Sequence, residues 1–95
     1  MLEIFKDGPQ TIRLKGRLDA TQSEMAFVEF DTLEGECFVQ FEQLDYISSA
    51  GLSVLLHTQQ RLSKAGGSLK LRGLNQHVSL VFEYAGFDMI FDMAD

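Results

Sequence analysis

The stretch QLDYISSAGLSVLLHT, residues 43–58, changes its hydrophobic period near its middle. As far as Ile47 its pattern is that of a strand, and from Ala50 onward leucines recur at the spacing of a helix. A strand that passes directly into a helix is typical of α/β proteins, where helical crossovers join parallel strands. Ser48 and Ser49 lie at this transition. They are therefore expected at the carboxyl end of a strand, where the ligand and reaction sites of such sheets collect.

The rest of the chain continues the alternation. We predict strands at 2–5, 11–16, 36–44, 68–73 and 88–93, and helices at 21–32, 50–65 and 76–85. The turn residues Asp7, Gly8 and Pro9 join the first two strands into a hairpin. The order β-β-α-β-α-β-α-β indicates one α/β domain over residues 1–95 with parallel strands.

Some element boundaries depend on single residues. Thr21 and Glu24 have the spacing of a capping box, which predicts that the first helix begins at residue 21. The β-forming residues of MAFVEF, 25–30, leave a strand as the alternative. Asn75 is predicted to cap the last helix. The strand at 36–44 carries bulky side chains on both faces, so we expect it to be central and covered on both sides.

Composition narrows the class of partner. The chain has 95 residues and a formal charge of −6, which argues against nucleic acid and against an anionic membrane surface. The chain shows no cationic leader and no apolar run long enough for a membrane span, so we expect a cytoplasmic protein without direct membrane insertion. The single cysteine, Cys37, is expected to be a buried thiol.

The two serines allow three interpretations. A hydroxyl at a helix start is exposed, and a phosphate on it would be stabilised by unpaired N–H groups and the helix dipole. Serine is also a frequent N-cap residue, which would need no further function. A nucleophilic serine would need a base, and neither His57 nor His77 is marked as its partner. With no metal-spaced cluster and no phosphate-binding glycine loop, we predict no enzyme, no cofactor and no metal site.

The helix after the serines has a polar face opposite its leucines. Ser53, His57 and Arg61 lie on this face, and Val54 falls among them. An apolar side chain beside polar ones suits the centre of a protein interface. The alternative is that Val54 packs beneath a neighbouring helix.

LKGRLDA, LDYISSAGLSVLL and AGGSLKLRGLNQHVSLVFEYAGFDMIF together resemble the STAS domain of bacterial anti-sigma-factor antagonists. The resemblance covers nearly the whole chain. It implies a mixed, mostly parallel sheet of four to five strands covered by three to four helices.

The resemblance also implies a switch in protein binding. Unphosphorylated members of the family bind an anti-sigma factor, which is a serine kinase of the histidine-kinase-like ATPase type, and so release the sigma factor. Phosphorylation of a serine at the start of the helix ends the complex. A phosphatase of the PP2C type restores the unphosphorylated form. STAS domains also serve as scaffold subunits of stress-signalling complexes and lipid transporters, where no phosphorylation is needed.

The family motif D-S-S/T-G-L identifies Ser49 as the predicted phosphoacceptor. Ser48 occupies the position of the usual aspartate, which removes a carboxylate and makes Ser48 an alternative acceptor. Asp19, in GRLD, matches a family aspartate near the acceptor. The predicted partner-binding surface comprises Asp19, Ser48, Ser49, Gly51, Ser53, Val54, His57 and Arg61.

Overall fold

The described part of the chain forms one mixed sheet and a layer of helices. The computed structural model describes residues 1–87 and 91–93. Its elements in chain order are β1 (Leu2–Lys6), β2 (Thr11–Leu18), a 3₁₀ helix (Ala20–Gln22), α1 (Ser23–Phe30), β3 (Glu36–Ile47), α2 (Ser49–Lys64), β4 (Ser68–Arg72), α3 (Gln76–Tyr84) and β5 (Asp92–Met93). The predicted order is confirmed. Residues 88–90 of the predicted last strand lie outside the described residues.

The sheet has the spatial order β1-β2-β3-β4-β5. β1 and β2 form the predicted antiparallel hairpin, and the remaining neighbours are parallel. Because each parallel crossover moves the chain one strand in the same direction, right-handed crossovers place every connecting helix on one face. The predicted α/β class with a mostly parallel sheet of four to five strands is therefore confirmed.

The hydrophobic core lies between that face and the helices. Alternate residues of the strands, such as Leu14, Val39 and Leu71, are fully buried there. They form one cluster with helix residues that include Phe30 and Leu55. The side chains between them point to the opposite face, which no described helix covers.

This open face corrects the expectation for β3. The strand is central, as predicted, but it is covered on one side only. Phe38 on the open face is half-buried because the Arg72 guanidinium lies 4.3 Å from its ring centroid and Lys70 Nζ lies 5.8 Å from it. Long cationic side chains, and not a second helical layer, shield this ring from water.

The start of the first helix differs from the capping-box prediction. Asp19 caps the 3₁₀ helix by accepting hydrogen bonds from the Thr21 amide at 3.0 Å and from the Thr21 hydroxyl at 2.6 Å. Because the Thr21 hydroxyl donates to Asp19, it does not cap α1, and α1 begins later, at Ser23. The alternative of a strand at 25–30 is also wrong, since these residues are helical.

The other helix boundaries follow the sequence signals. Gly66 has a positive φ of 86° after α2, and Gly86 has one of 74° after α3. The Asn75 side chain accepts a hydrogen bond of 2.8 Å from the Val78 amide and so caps α3, as predicted.

Candidate functional site

The start of α2 lies at the carboxyl edge of β2 and β3. Leu18 and Ile47, the last residues of these parallel strands, are paired. Asp19 and Ser48 are the residues that follow this pair. The Ser48 amide donates a hydrogen bond of 2.9 Å to the Leu18 carbonyl, which fixes the end of β3 against the end of β2. The fold therefore brings Asp19 and the two serines to one edge of the sheet.

Ser48 is the N-cap residue of α2. Its backbone is extended, and its Oγ accepts a hydrogen bond of 3.2 Å from the Gly51 amide. This bond satisfies one of the N–H groups that a helix leaves unpaired in its first turn. The hydroxyl of the alternative phosphoacceptor thus has a structural role.

Ser49 is the first residue of α2 and its side chain is exposed. Its carbonyl accepts a hydrogen bond of 3.1 Å from the Ser53 hydroxyl. Of the two adjacent serines, Ser49 presents the hydroxyl more openly to another protein.

Gly51 is buried beneath the start of α2. A Cβ on this residue would lie 2.7 Å from Leu18 Cγ, 2.9 Å from Ile47 Cγ1 and 3.0 Å from the Leu18 carbonyl oxygen. Gly51 therefore has a packing role within the domain, and its contact with a partner stays a prediction. Its missing side chain lets α2 approach the ends of β2 and β3 closely.

A groove of about 660 Å³ runs between α1 and α2 and reaches Ala50, the residue after Ser49. Its lining comprises Ser23, Glu24, Phe27, Val28, Ala50, Ser53, Val54 and His57. The α1 side is apolar and accessible, with Phe27 39% and Val28 63% exposed. The exposed His57 ring lies 4.8 Å from the Phe27 ring, centroid to centroid. An accessible apolar groove that reaches the residue after an exposed serine has the character of a protein interface.

Two of the residues of α2 that were predicted to contact a partner have roles inside the domain. Val54 is only 5% exposed and belongs to the core, so the alternative of packing beneath a neighbouring helix is correct and the prediction of an exposed interface centre is wrong. It contributes to the groove only as part of its floor. A helical projection could not show this, because α1 covers that side of α2.

Arg61 is the second such residue. Its guanidinium donates hydrogen bonds of 3.1 Å and 2.9 Å to the carbonyls of Phe30 and Leu33, and its Nε lies 3.4 Å from Asp31 Oδ1. The side chain therefore stabilises the end of α1, where helix carbonyls lack partners. Arg61 thus has this internal role, and its contact with a partner stays a prediction.

The groove residues of α1 were not predicted as site residues. The sequence does contain an indication of them, because MAFVEF has more apolar residues than one buried face of a helix can hold. The excess apolar side chains, Met25, Phe27 and Val28, are those that α1 leaves exposed.

The hydrogen bonds from Thr21 to Asp19 should make the stability of the domain depend on pH. Donation by the Thr21 hydroxyl, followed in weight by its amide, holds the pKa of Asp19 below its ordinary value. A pKa that is lowered in the folded state stabilises the fold at pH values above the unfolded pKa. This stabilisation is lost as the pH falls through the folded pKa.

We expect Asp19→Ala to unfold at lower urea concentration than wild type at pH 7, with a smaller difference at pH 3. Asp19→Asn, which keeps an acceptor oxygen, should lose less at pH 7. A difference that grows on acidification would contradict the assignment.

Ser48→Ala tests the N-cap. Loss of the Ser48 Oγ leaves the Gly51 amide without its acceptor, and we expect the free energy of unfolding to fall by about 1 kcal/mol in urea titrations. Ser48→Asp, which restores the motif residue and is an equally good cap, should retain wild-type stability. Equal stability of the alanine variant and wild type would show that the cap contributes nothing.

The described part of the chain has neither a membrane-spanning helix nor a cluster of metal-binding side chains. None of the helices in this part of the chain is long and apolar enough to cross a membrane. Among the same residues, no group of three or more histidine, cysteine, aspartate or glutamate side chains could hold a metal ion.

The sequence of this chain is similar to those of known proteins. The family described as "Mlab, STAS domain" matches residues 3–92. A Bordetella bronchiseptica protein described as an anti-sigma factor antagonist, BtrV, is 37% identical over 93 residues, covering 94% of this chain and 80% of that protein. The anti-sigma-B factor antagonist of Bacillus subtilis is 34% identical over 53 residues, 56% of this chain and 49% of that protein.

Solved structures share the fold at low sequence identity. The anti-sigma factor antagonist SpoIIAA in its unphosphorylated form has a TM-score of 0.72 at 17% identity, covering 100% of this chain and 88% of that chain. The phosphorylated form, from Bacillus, gives 0.71 at 18%, with 100% and 92% covered. A sulfate transporter family protein from Wolinella succinogenes gives 0.75 at 18%, with 98% and 84% covered. The family match over residues 3–92 and the Bordetella relative, of which 80% is covered, show that this chain belongs to the STAS family and, within it, to the anti-sigma factor antagonists.

Proposed function

We propose that this chain is a partner switch controlled by phosphorylation of Ser49. The unphosphorylated form binds an anti-sigma factor that is also a serine kinase of the histidine-kinase-like ATPase type, which releases the sigma factor in the cytoplasm. Phosphorylation ends the complex, and a PP2C-type phosphatase reverses it. The observation that carries the proposal is the exposed Ser49 side chain at the first position of α2, one residue before Ala50 of the apolar groove.

The helix start accepts a phosphate without damage to the fold. Phosphoserine adds about −1.5 to −2 charges, and the positive end of the α2 dipole stabilises them. The two SpoIIAA forms fit this chain almost equally well, with TM-scores of 0.72 and 0.71. This near-equality supports a switch that leaves the fold of the domain in place.

The same phosphate weakens the binding of a partner. A partner surface seated on the groove of Phe27 and Val28 would have to exclude water from the phosphate or hold it in an apolar contact. Glu24, which also lines the groove, carries the same sign of charge, and its repulsion from the phosphate grows when a bound partner excludes water. The modification therefore acts on the interface and not on the core.

The kinase reaction tests the acceptor directly. We expect incubation with ATP and the cognate kinase to add the mass of one phosphate to the intact chain. Ser49→Ala should gain none, whereas Ser48→Ala should be phosphorylated like wild type. Phosphate on Ser49→Ala but not on Ser48→Ala would move the acceptor to Ser48. No phosphate on any of the three chains would remove the switch.

A scaffold subunit without phosphorylation is the second candidate. It is favoured by Ser48 at the position where the motif has aspartate, and by the match to the family described as "Mlab, STAS domain". In that case the groove would hold a permanent partner. The candidate predicts that a complex isolated from cells survives addition of ATP, while the switch predicts that ATP dissociates it.

A further inference from the structure

The outer edge of β1 carries hydrogen-bonding groups that its pairing with β2 leaves unused. β1 is the outermost strand of the sheet and has β2 on one side only. The Asp7 amide, just after β1, donates a hydrogen bond of 2.9 Å to the Thr11 carbonyl, so the odd-numbered residues of the strand bond to β2. Bonded and non-bonded pairs alternate in an antiparallel ladder. The residues whose amides and carbonyls point away from β2 are therefore Leu2, Ile4 and Lys6.

The usual devices that protect an edge strand are few in β1. Such strands are commonly blocked by proline, by a bulge or by a lysine that extends across the edge. β1 contains no proline, and its register with β2 is regular. The Lys6 side chain is held over the helical layer, where its Nζ donates a hydrogen bond of 3.0 Å to Thr32 Oγ1. The edge is therefore available to a further strand.

A second copy of β1 can pair with this edge in only a few registers. A two-fold axis makes the two strands antiparallel and places one residue opposite its own copy. A register centred on Glu3 would put two carboxylates opposite each other, and one centred on Phe5 would put Glu3 opposite the partner's Asp7. Registers centred on either end of the strand leave most of the edge unpaired. The remaining register is centred on Ile4.

The register centred on Ile4 uses the whole edge. Leu2 pairs with the partner's Lys6, and Ile4 pairs with the partner's Ile4. Together with the symmetry-related pair, these residues exchange up to about six hydrogen bonds, which use the groups that β2 leaves free. Ile4 is half-buried at the border of the core, and its copy would cover the remaining surface. No like charges lie opposite each other in this register.

Side chains on the open face complement each other in the same register. Glu3 lies opposite the partner's Phe5. The Phe5 ring is covered by Arg13 of its own subunit, whose guanidinium carbon lies 4.2 Å from the ring centroid. Since the Cβ atoms of opposite residues are about 5 Å apart, the Glu3 carboxylate can reach this guanidinium. The two-fold axis produces the contact twice.

Both groups of this contact are available for it. Glu3 is exposed, and it forms no ion pair among the described residues, although Lys15 lies opposite it on β2. Arg13 donates through Nε to Asp7 at 2.9 Å and through Nη1 to Gln43 at 3.0 Å. Its Nη2 group therefore remains for a carboxylate, because a guanidinium has five N–H donors.

We infer that β1 is a dimerisation edge, through which two copies of this chain pair antiparallel about a two-fold axis at Ile4, with Glu3 of each copy bound to Arg13 of the other. The two sheets join into one continuous sheet. β1 contributes no residue to the groove between α1 and α2. The dimer therefore does not rest on the switch proposed for Ser49, and each copy keeps its own groove.

Sedimentation velocity of the full chain tests the inference. An interface of one short strand is smaller than the roughly 1,200 Å² of a stable complex, so we expect a weak dimer with a Kd on the order of 100 µM. The sedimentation coefficient should rise from that of a monomer to that of a dimer between about 10 and 500 µM. Ser49→Asp should dimerise like wild type.

Variants of the edge separate its backbone from its charges. Ile4→Pro removes an amide that β2 does not use, so the domain should stay folded by circular dichroism and remain a monomer over the same range. Glu3→Gln should weaken the dimer by about threefold. Glu83→Gln is the matched control, because it removes the same charge from an exposed position on α3, and it should not weaken the dimer.

Disulfide cross-linking tests the register, and it does so even if Ile4→Pro is poorly folded. Opposite residues of a bonded pair have Cα atoms about 5.5 Å apart, a distance that a disulfide spans, so Ile4→Cys should form a covalent dimer on mild oxidation. Lys6→Cys should stay monomeric, because its copy would lie four positions away along the ladder. The native Cys37 is buried in both variants.

Three results would overturn the inference. They are a monomer at every concentration, a dimer that persists unchanged in folded Ile4→Pro, and cross-linking of Lys6→Cys in place of Ile4→Cys. The first would leave β1 as an unused edge, the second would place the contact elsewhere on the domain, and the third would require a different register.

Discussion

Phosphorylation of Ser49 is expected to weaken the complex with the anti-sigma factor by more than a hundredfold, a loss of about 3 kcal/mol. The phosphate places about two negative charges and new bulk at the first residue of α2, which precedes the groove residue Ala50 and lies near the proposed partner surface. Ser49→Asp carries one charge and less bulk, so we expect a loss of about tenfold. Ser49→Ala should bind persistently. Isothermal titration with the purified anti-sigma factor measures all three.

Ser53→Asp is the matched control for this experiment. Ser53 is exposed and lies one turn further along α2, and its hydroxyl already contacts the Ser49 carbonyl. If the acceptor position matters, Ser53→Asp should cost less affinity than Ser49→Asp. Equal losses would indicate general repulsion across the groove, and wild-type binding by both Ser49 variants would refute the switch and favour a scaffold.

Local signals in the sequence were sufficient for most of the fold. The hairpin turn, the cap at Asn75 and the glycines after α2 and α3 act within a few residues, so the chain specifies them without reference to its tertiary structure. The exception is the start of α1. Thr21 has the spacing of a cap, but it lies within reach of the Asp19 carboxylate, which accepts a hydrogen bond from its hydroxyl.

The site was harder to predict because it depends on neighbours that are distant in the chain. A helical projection places Val54 and Arg61 on the polar side of α2, and it cannot show that α1 lies against that side. Once α1 is present, Val54 becomes part of the core and Arg61 binds the end of α1. Ser49 kept its predicted exposure because helix starts at the edge of a sheet point outward in this fold class.

The open face of the sheet shows that the pattern of a single strand is also insufficient to predict what covers its side chains. The sequence of β3 has large side chains on both faces, and such a pattern usually indicates a strand that is buried on both sides. Here the second side is shielded by cations from β2 and β4, which pair with β3 only in the folded sheet. The sequence shows that a strand has large side chains on both faces, but it does not show whether a helix or an arginine covers the second face.

Gly51→Ala is expected to destabilise the domain by about 2 kcal/mol, although alanine is the better helix former. In an unconstrained helix this change would add up to about 1 kcal/mol of stability. At Gly51 the new Cβ would lie 2.7 Å from Leu18 Cγ and 3.0 Å from the Leu18 carbonyl oxygen, and neither atom is the free end of a flexible chain. Overpacking of this kind costs about 1–3 kcal/mol, and it also pushes the start of α2 away from the sheet edge.

Thermal unfolding followed by circular dichroism measures the effect. A loss of about 2 kcal/mol in a domain of this size lowers the melting temperature by about 10 °C. Ser53→Ala, an exposed position in the same turn, should stay within about 2 °C of wild type. If Gly51→Ala melts at or above the wild-type temperature, then Leu18 and Ile47 yield without cost, and the glycine is not needed for the close approach of α2. Because the displaced helix start carries Ser49, the same variant should also be phosphorylated more slowly than Ser53→Ala.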